Sequence, residues 1–304
     1  MSQWSGSVSS NQPIFIGGMY KSGTSLLRAM LGRHSRLFAG LETQWLNETW
    51  HGSVTVARRN WLERLSVFFD TPLAELESTC GEAKDVETCL DHMLAFFTNR
   101  AGKARWIEKT PGNVGAIERI LKRWPQARIL HIIRDPRDVY ASMIESHKWT
   151  EPEEFAGRWG RSVGAARNWL AVQGGMHPAY YELRYERLVR EPEQEVRKVL
   201  GFLDEPFEEE VAKFSGQPED FDRVRKATGK ESPTLRRLAE PMMATRVGVW
   251  SKVVVPEAWA VVHAELVREG YGNLADQLID ETDPIRAGEV EEGRKEDKAR
   301  VERV

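Results

Sequence analysis

The residues best equipped for chemistry lie in Gly18-Met-Tyr-Lys-Ser-Gly-Thr-Ser25, where two glycines frame a lysine and are followed by paired hydroxyls. The stretch keeps the glycine spacing of a phosphate-binding loop, G-x-x-x-x-G-K-[ST]. Thr24, however, stands where that pattern has its lysine, and Lys21 lies three residues earlier. In a nucleotide triphosphatase that lysine reaches the β- and γ-phosphates and the next hydroxyl holds Mg²⁺, work that Thr24 cannot do. What persists is an apolar run ending in glycines (13–18), a turn and a helix start, whose backbone N–H groups and dipole favour an anion. Lys21, Ser22, Gly23, Thr24 and Ser25 are therefore candidate ligands of one compact anionic group, not of a metal-bridged triphosphate. The plainer alternative is a tight strand-to-helix connection with no ligand.

A second candidate group lies in IIRDPRDVYASMIES. Residues 127–134 read as a buried strand, with Asp135 as N-cap, Pro136 at the first helical position and Asp138 in the first turn, so a helix is predicted from about 136 to 147. Arg134 at the strand end offers a planar fork to a phosphate, and Ser142 brings a hydroxyl to the same oxygens. The alternative is a structural salt bridge from Arg134 to Asp138 or Asp135. Lys109, in Glu108-Lys-Thr-Pro-Gly-Asn113, ends a strand-like run (106–109) and adds a cation at the same edge, unless it is simply a solvated strand-end lysine. Two anion-binding strand ends in one sheet suit a nucleotide with phosphates at both ends, laid across the carboxyl edge.

These groups need a frame. Leu62, Leu65 and Phe69 share one helical face, as do Val86, Leu90, Met93 and Phe97, then Ile117, Ile120, Leu121 and Trp124. Phe155, Trp159, Val163, Ala166 and Leu170 mark a long helix, 180–185 a strand, and Val196, Leu200 and Leu203 another helix. Strands alternating with helices predict an α/β fold, a P-loop-type central parallel sheet flanked by helices on both faces. The predicted domain runs over 13–279, between a flexible 1–12 and a charged, disordered tail at 280–304, with a mobile loop segment at 215–247.

The 304 residues are 41% hydrophobic and carry 43 basic against 46 acidic side chains, for a net charge of −3. That balance gives no general attraction for nucleic acid or an anionic membrane, so anion binding must be local. Cys80 and Cys89 form no C-x-x-C pair and have no histidine at metal-ligand spacing, which predicts buried thiols and no metal site. No segment approaches about 18 uncharged apolar residues, and the predicted location is cytoplasmic with no transmembrane segment. Among the histidines, His131 sits in a buried strand, while His51 and His147 are secondary candidates for a base. Trp45, Trp50 and Trp149 are candidates to line an acceptor pocket.

MYKSGTSLL resembles the 5′-phosphosulfate loop of the sulfotransferase family, enzymes that use 3′-phosphoadenosine 5′-phosphosulfate (PAPS), and IIRDPRDVYASMIES resembles that family's 3′-phosphate motif. LRYERLVREPEQEVRKVLGFLDEPF (183–207) resembles its R-Y-E-x-L-x-x-x-P segment, and TRVGVWSKVV (245–254) a weaker form of its closing nucleotide loop. The first three occur in family order and span most of 13–207. The resemblance implies PAPS as co-substrate, adenosine 3′,5′-bisphosphate as product and no metal. It also places Tyr185 among the nucleotide-binding residues, closes Arg246, Gly248 and Lys252 over the 3′-phosphate and stacks Trp250 on adenine.

Residues 13–46 are most similar to the tyrosylprotein branch, whose loop arginine and G-E-E-T glutamate fall on Lys21 and Glu42. This implies Glu42 as general base acting with Lys21, which is placed at the leaving phosphate, and Lys109 at its strand end is the candidate for a second cation. Lysine in place of arginine and Leu41 in place of the first glutamate depart from that branch at the acceptor side. The acceptor hydroxyl or amine stays open among carbohydrate, lipid, small metabolite and peptide tyrosine. The rival readings are a P-loop kinase or NTPase, and a non-catalytic nucleotide-binding protein on the same fold.

Overall fold

A run apolar on both faces, such as Ile14–Gly17, suits a strand with neighbours on either side and helices above and below. A computed structural model, which describes residues 12–47, 56–148, 150–213 and 244–280, places this run (β1) at the centre of a five-stranded sheet. The expectations set on 1–12, 215–247, the 280–304 tail, Trp50, His51 and Trp149 lie wholly or mainly outside the described residues.

After β1 come α1 (Thr24–Leu31), β2 (Leu37–Ala39), α2 (Val56–Phe68), α3 (Leu73–Cys80), α4 (Val86–Arg100) and β3 (Arg105–Lys109). Then follow α5 (Ile117–Arg123), β4 (Arg128–Ile133), α6 (Pro136–Glu145), α7 (Pro152–Val172), β5 (Tyr180–Arg184), α8 (Tyr185–Arg190), α9 (Pro192–Phe202) and α10 (Glu209–Ala212). The last described stretch holds α11 (Trp250–Val253), α12 (Pro256–Arg268) and α13 (Gly272–Asp280). The strands run parallel in the order β2-β3-β1-β4-β5, flanked by helices, which is the predicted class. Among the described residues no helix is long and apolar enough to cross a membrane.

The chain divides into two compact units. One comprises the residues up to Ile133 together with those from Ala165 to Lys213, and the other Arg134–Gly164 with the residues from Ala244 onward.

The first unit holds the sheet, and its core is built on Phe15, whose ring lies 5.0 Å from Trp124, 5.4 Å from Trp106 and 6.2 Å from Trp45. Trp45 is thus a fully buried core residue, and its assignment to an acceptor pocket is corrected. Its indole also needs a partner once buried, and Nε1 donates to Asn113 Oδ1 at 3.1 Å. The expectation of two separate thiols also fails: Cys80, at the end of α3, and Cys89, in α4, are joined in a buried disulfide. Arg58 of α2 grips the loop that this disulfide closes, donating to the carbonyls of Gly81 (2.8 Å) and Ala83 (3.3 Å).

In the second unit α6 starts as its sequence dictates: Asp135 caps it by accepting from the Arg137 N–H at 2.8 Å, with Pro136 next. Tyr140 packs on Phe155 of α7 with ring centroids 4.8 Å apart and donates its hydroxyl to the Thr150 carbonyl. Tyr271 lies against Gly160 and Gly164, where any Cβ would overlap its ring.

Candidate active site

The central strand delivers the chain into the glycine loop at the carboxyl edge of the sheet. Gly18 N–H donates to the Pro111 carbonyl at 3.0 Å, and Asn113 Nδ2 donates to the Ile16 carbonyl at 3.0 Å, so the loop's entry is tied to the segment that follows β3. Gly18 is glycine for a steric reason, because a Cβ there would fall on the Ile132 carbonyl of β4. Gly23 takes a left-handed conformation (φ 101°) as the N-cap of α1, and a Cβ would enter the ring of Tyr185. Lys21 is held at φ 69°, a region that costs a non-glycine residue on the order of 1–3 kcal/mol and that concentrates at functional sites.

A glycine cap has no side chain to cover the first N–H groups of α1. Those groups, with Thr24 and Ser25 at the first two helical positions and the buried Ser22 just before, form a cradle for an anion. Tyr185, at the start of α8 in the R-Y-E-x-L segment, is thereby placed as a wall of the loop.

Beside the loop stands an ion pair. Lys109 ends β3, in register with Ile16 of β1, and its Nζ lies 2.6 Å from Glu42 Oε2. The Lys109 side chain is only 6% exposed, so the solvated strand-end alternative is set aside. Gln44 Nε2 is 3.4 Å from the other Glu42 oxygen, a weak contact that leaves Oε1 available to a further donor. Glu42 and Lys109, expected separately as a base and as a strand-end cation, are thus brought together.

Sequence reasoning passed over what lies next to them. Glu108 is 1% exposed and accepts from Thr43 Oγ1 (2.7 Å) and Thr110 Oγ1 (2.8 Å) on Oε1, and from Asn113 Nδ2 (2.7 Å) on Oε2. Burial pushes its carboxyl upward from the usual carboxylate range, while the donors from Asn113, Thr43 and Thr110 oppose that shift. The glutamate beside the predicted lysine was the only signal available, and its partners come from elsewhere in the chain.

The second unit gathers the other predicted residues. Arg134 Nη1 lies 3.4 Å from Ser142 Oγ, Arg246 Nη2 lies 3.4 Å from the same oxygen, and Arg134 Nη2 donates to the Arg246 carbonyl. Asp138 accepts from the N–H groups of Gly248 (2.8 Å) and Trp250 (3.0 Å), which folds residues 246–250 onto α6. It also lies 3.8 Å from Arg134, so the Arg134–Asp138 ion pair expected as the structural alternative is present, while Asp135 pairs with Arg137 at 2.8 Å. Burial pushes the Asp138 carboxyl upward, with Arg134 and the two N–H groups pulling the other way.

Arg246 is also paired with Glu145, a partner the sequence did not disclose. One face of the Trp250 indole is covered by the Arg137 guanidinium at 4.1 Å. Lys252 is exposed on α11 and makes none of these contacts.

Of the secondary bases, His147 is exposed just past α6. His131 is buried in β4, where Nδ1 meets the Tyr180 hydroxyl at 2.6 Å, and burial first, then Arg167, pushes it down to about 3. It is a core residue, as its place in the strand implied. Among the described residues no cluster of His, Cys, Asp and Glu has the makings of a metal centre.

Comparison with known proteins converges on one group. The chain is 26% identical over 214 residues to a protein-tyrosine sulfotransferase of Drosophila melanogaster, covering 65% of this chain and 39% of that protein. It is 24% identical over 279 residues to protein-tyrosine sulfotransferase 1 of Danio rerio, covering 85% and 72% respectively. The chain spans 34% to 68% of the length of the first curated relatives it matches. Among solved structures, the sulfotransferase domain of the Synechococcus PCC 7002 olefin synthase shares the fold, with a TM-score of 0.56 at 20% identity over 83% of this chain and 94% of that domain. The model of the sulfotransferase family matches residues 13–209, a stretch that takes in the glycine loop, the Glu42–Lys109 pair, Arg134, Ser142 and Tyr185, and the chain belongs to that family.

Proposed function

We propose that this protein transfers a sulfuryl group from PAPS to an acceptor hydroxyl or amine. The observation that carries the reading is the Glu42–Lys109 pair at the end of β3, beside a glycine loop that retains anion-binding geometry while lacking the lysine a triphosphatase needs. Each unit offers residues suited to one end of the nucleotide. Ser22, Gly23, Thr24 and Ser25 would cradle the 5′-phosphosulfate, and Arg134, Ser142 and Arg246 would take the 3′-phosphate, with Gly248 and Trp250 presented by Asp138. Tyr185 supports the loop, and Lys252 would join only by moving from its exposed position.

In this mechanism Glu42 Oε1 accepts the acceptor's proton as the new sulfur–oxygen or sulfur–nitrogen bond forms. The bond from sulfur to the 5′-phosphate oxygen breaks, and adenosine 3′,5′-bisphosphate leaves. Lys109 holds the opposite Glu42 oxygen and keeps the carboxylate oriented, while Lys21 offsets charge developing on the leaving phosphate. Protein cations and helix N–H groups do the work that a divalent ion does in nucleotide triphosphatases, so activity should survive EDTA.

The acceptor class is left to experiment, with peptide tyrosine first on the list because of the relatives' names. The predicted cytoplasmic location now stands against the Cys80–Cys89 disulfide, since such bonds are rare in reducing compartments. The deciding assay incubates the protein with PAPS and a panel of tyrosine peptides, carbohydrates, lipids and phenols, read by mass spectrometry for sulfated product. Adenosine 3′,5′-bisphosphate should bind and ATP should not. The reverse preference, or a requirement for Mg²⁺, would return the protein to the kinase class, and nucleotide binding without transfer to any acceptor would leave a binding fold.

A further inference from the structure

Glu108 takes no part in the steps just described, yet it is the most fully enclosed carboxylate beside them. Its four contacts all come from donors: the Thr43 hydroxyl at 2.7 Å, the Thr43 N–H at 3.4 Å, the Thr110 hydroxyl at 2.8 Å and the Asn113 amide at 2.7 Å. The donors are themselves fixed. Thr110 Oγ1 accepts from the Gln44 N–H at 3.2 Å, so its single proton is directed to Glu108. Asn113 uses Oδ1 for Trp45 Nε1 and Nδ2 for the Ile16 carbonyl, so it cannot flip without losing both. The Thr43 carbonyl is taken by Trp61 Nε1 at 2.9 Å and by Arg64 of α2.

The result is a double clasp. Two consecutive residues of one loop, Glu42 and Thr43, meet two consecutive residues of one strand, Lys109 and Glu108. Successive side chains on a strand point to opposite faces, so the two contacts grip the loop from both sides of β3 and allow it one register.

We propose that Glu108 is a positioning residue: by holding Thr43 and Gln44 in place, it fixes where the Glu42 carboxylate stands. This rests on the sulfuryl-transfer reading for its kinetic consequences, though not for its geometric one. Glu108→Gln keeps the shape and still accepts from Thr43 and Thr110. It turns an amide toward Asn113 Nδ2, however, setting donor against donor.

The test combines kinetics with crystallography. Glu108→Gln should lower kcat by about 10- to 100-fold, the scale of a displacement near 1 Å, with the Kd for adenosine 3′,5′-bisphosphate changed by less than about twofold. In a Glu42→Gln background the same change should cost less than about twofold, because a residue that acts through Glu42 has nothing left to position. Thr43→Val, which removes the bridging hydroxyl at constant shape, should reproduce the loss and serves if Glu108→Gln does not fold. Wild-type turnover in these variants, or losses that multiply in the Glu42→Gln background, would overturn the proposal.

The crystal structure of the variant is the arm that needs no turnover. The Glu42–Lys109 contact, 2.6 Å in the wild type, should open beyond about 4 Å, the limit of an ion pair, and an unchanged contact overturns the proposal. Should the wild type transfer no sulfuryl group, the functional reading falls, and this measurement still decides the role of Glu108.

Discussion

The Glu42–Lys109 cluster of the first unit and the Arg134–Arg246 cluster of the second are both assembled from opposite charges, but they are held together differently. Around Glu42 the supporting contacts are buried bonds from neutral donors to Glu108, and each donor is committed on its other side. Around Arg246 the backbone is held by Arg134 and, through Gly248 and Trp250, by the buried Asp138, but the Arg246 side chain rests on an ion pair whose partners are 25% and 28% exposed, open enough to exchange with solvent or with an incoming anion. Buried and fully satisfied polar groups specify one arrangement, whereas exposed ion pairs are worth roughly 0–1 kcal/mol and exchange readily. The first cluster is built to keep a geometry, which suits chemistry. The second is built to trade partners, which suits binding and release.

The contrast is broken most directly at Glu42. Glu42→Gln should cut kcat by roughly 10²–10⁴ while the affinity for adenosine 3′,5′-bisphosphate, measured by calorimetry, stays within about twofold. Full turnover on the true acceptor would make the first cluster a structural clasp with no chemical role.

Next in size is Lys21→Ala, which should lose roughly 10²–10³ in kcat under saturating PAPS, the usual scale for one preorganised charge stabiliser. If the loss appears in KM alone, Lys21 belongs with the binding residues and the division drawn here moves.

For the second cluster, the wild type should prefer PAPS over adenosine 5′-phosphosulfate by at least about a hundredfold, because the analogue forgoes the charge-assisted bonds that a 3′-phosphate would take from Arg134, Ser142 and Arg246. Arg134→Ala should reduce that preference to about tenfold or less. Equal binding of both nucleotides by the wild type would remove the 3′-phosphate from this cluster.

The smallest effect sharpens the contrast most. Glu145→Gln releases Arg246 from its competing carboxylate, so adenosine 3′,5′-bisphosphate should bind about two- to fivefold more tightly at low ionic strength, and the gain should shrink as salt is added. Weaker binding would mean that Glu145 orients Arg246, and that the second cluster is as fixed as the first.

What could be read from the sequence was what is local. The strand–loop–helix at 14–31 and the strand–cap–helix at 128–145 announce themselves through glycines, Asp135 and Pro136, and they bring Arg134 to Ser142 because both sit on one continuous stretch. Pairings made across the fold left no such mark. The Glu108–Thr43 bond, the Arg246–Glu145 pair and the burial of Trp45 among Phe15, Trp106 and Trp124 depend on which strands become neighbours, and β2, only three residues long, gave no alternation to read. The Cys80–Cys89 bond was missed for a related reason: the residues lack a motif and meet because α3 and α4 pack together.

The way Gly18 and Gly23 are enclosed also sets an order of events during synthesis. The walls of the glycine loop are Pro111, Ile132 and Tyr185, residues made long after the loop itself. At about 5–20 residues per second a ribosome needs on the order of ten seconds or more to supply the last of them. The loop that follows β1 is thus made well before its walls, and a nascent chain cannot complete that enclosure until β5 and the start of α8 have emerged and docked.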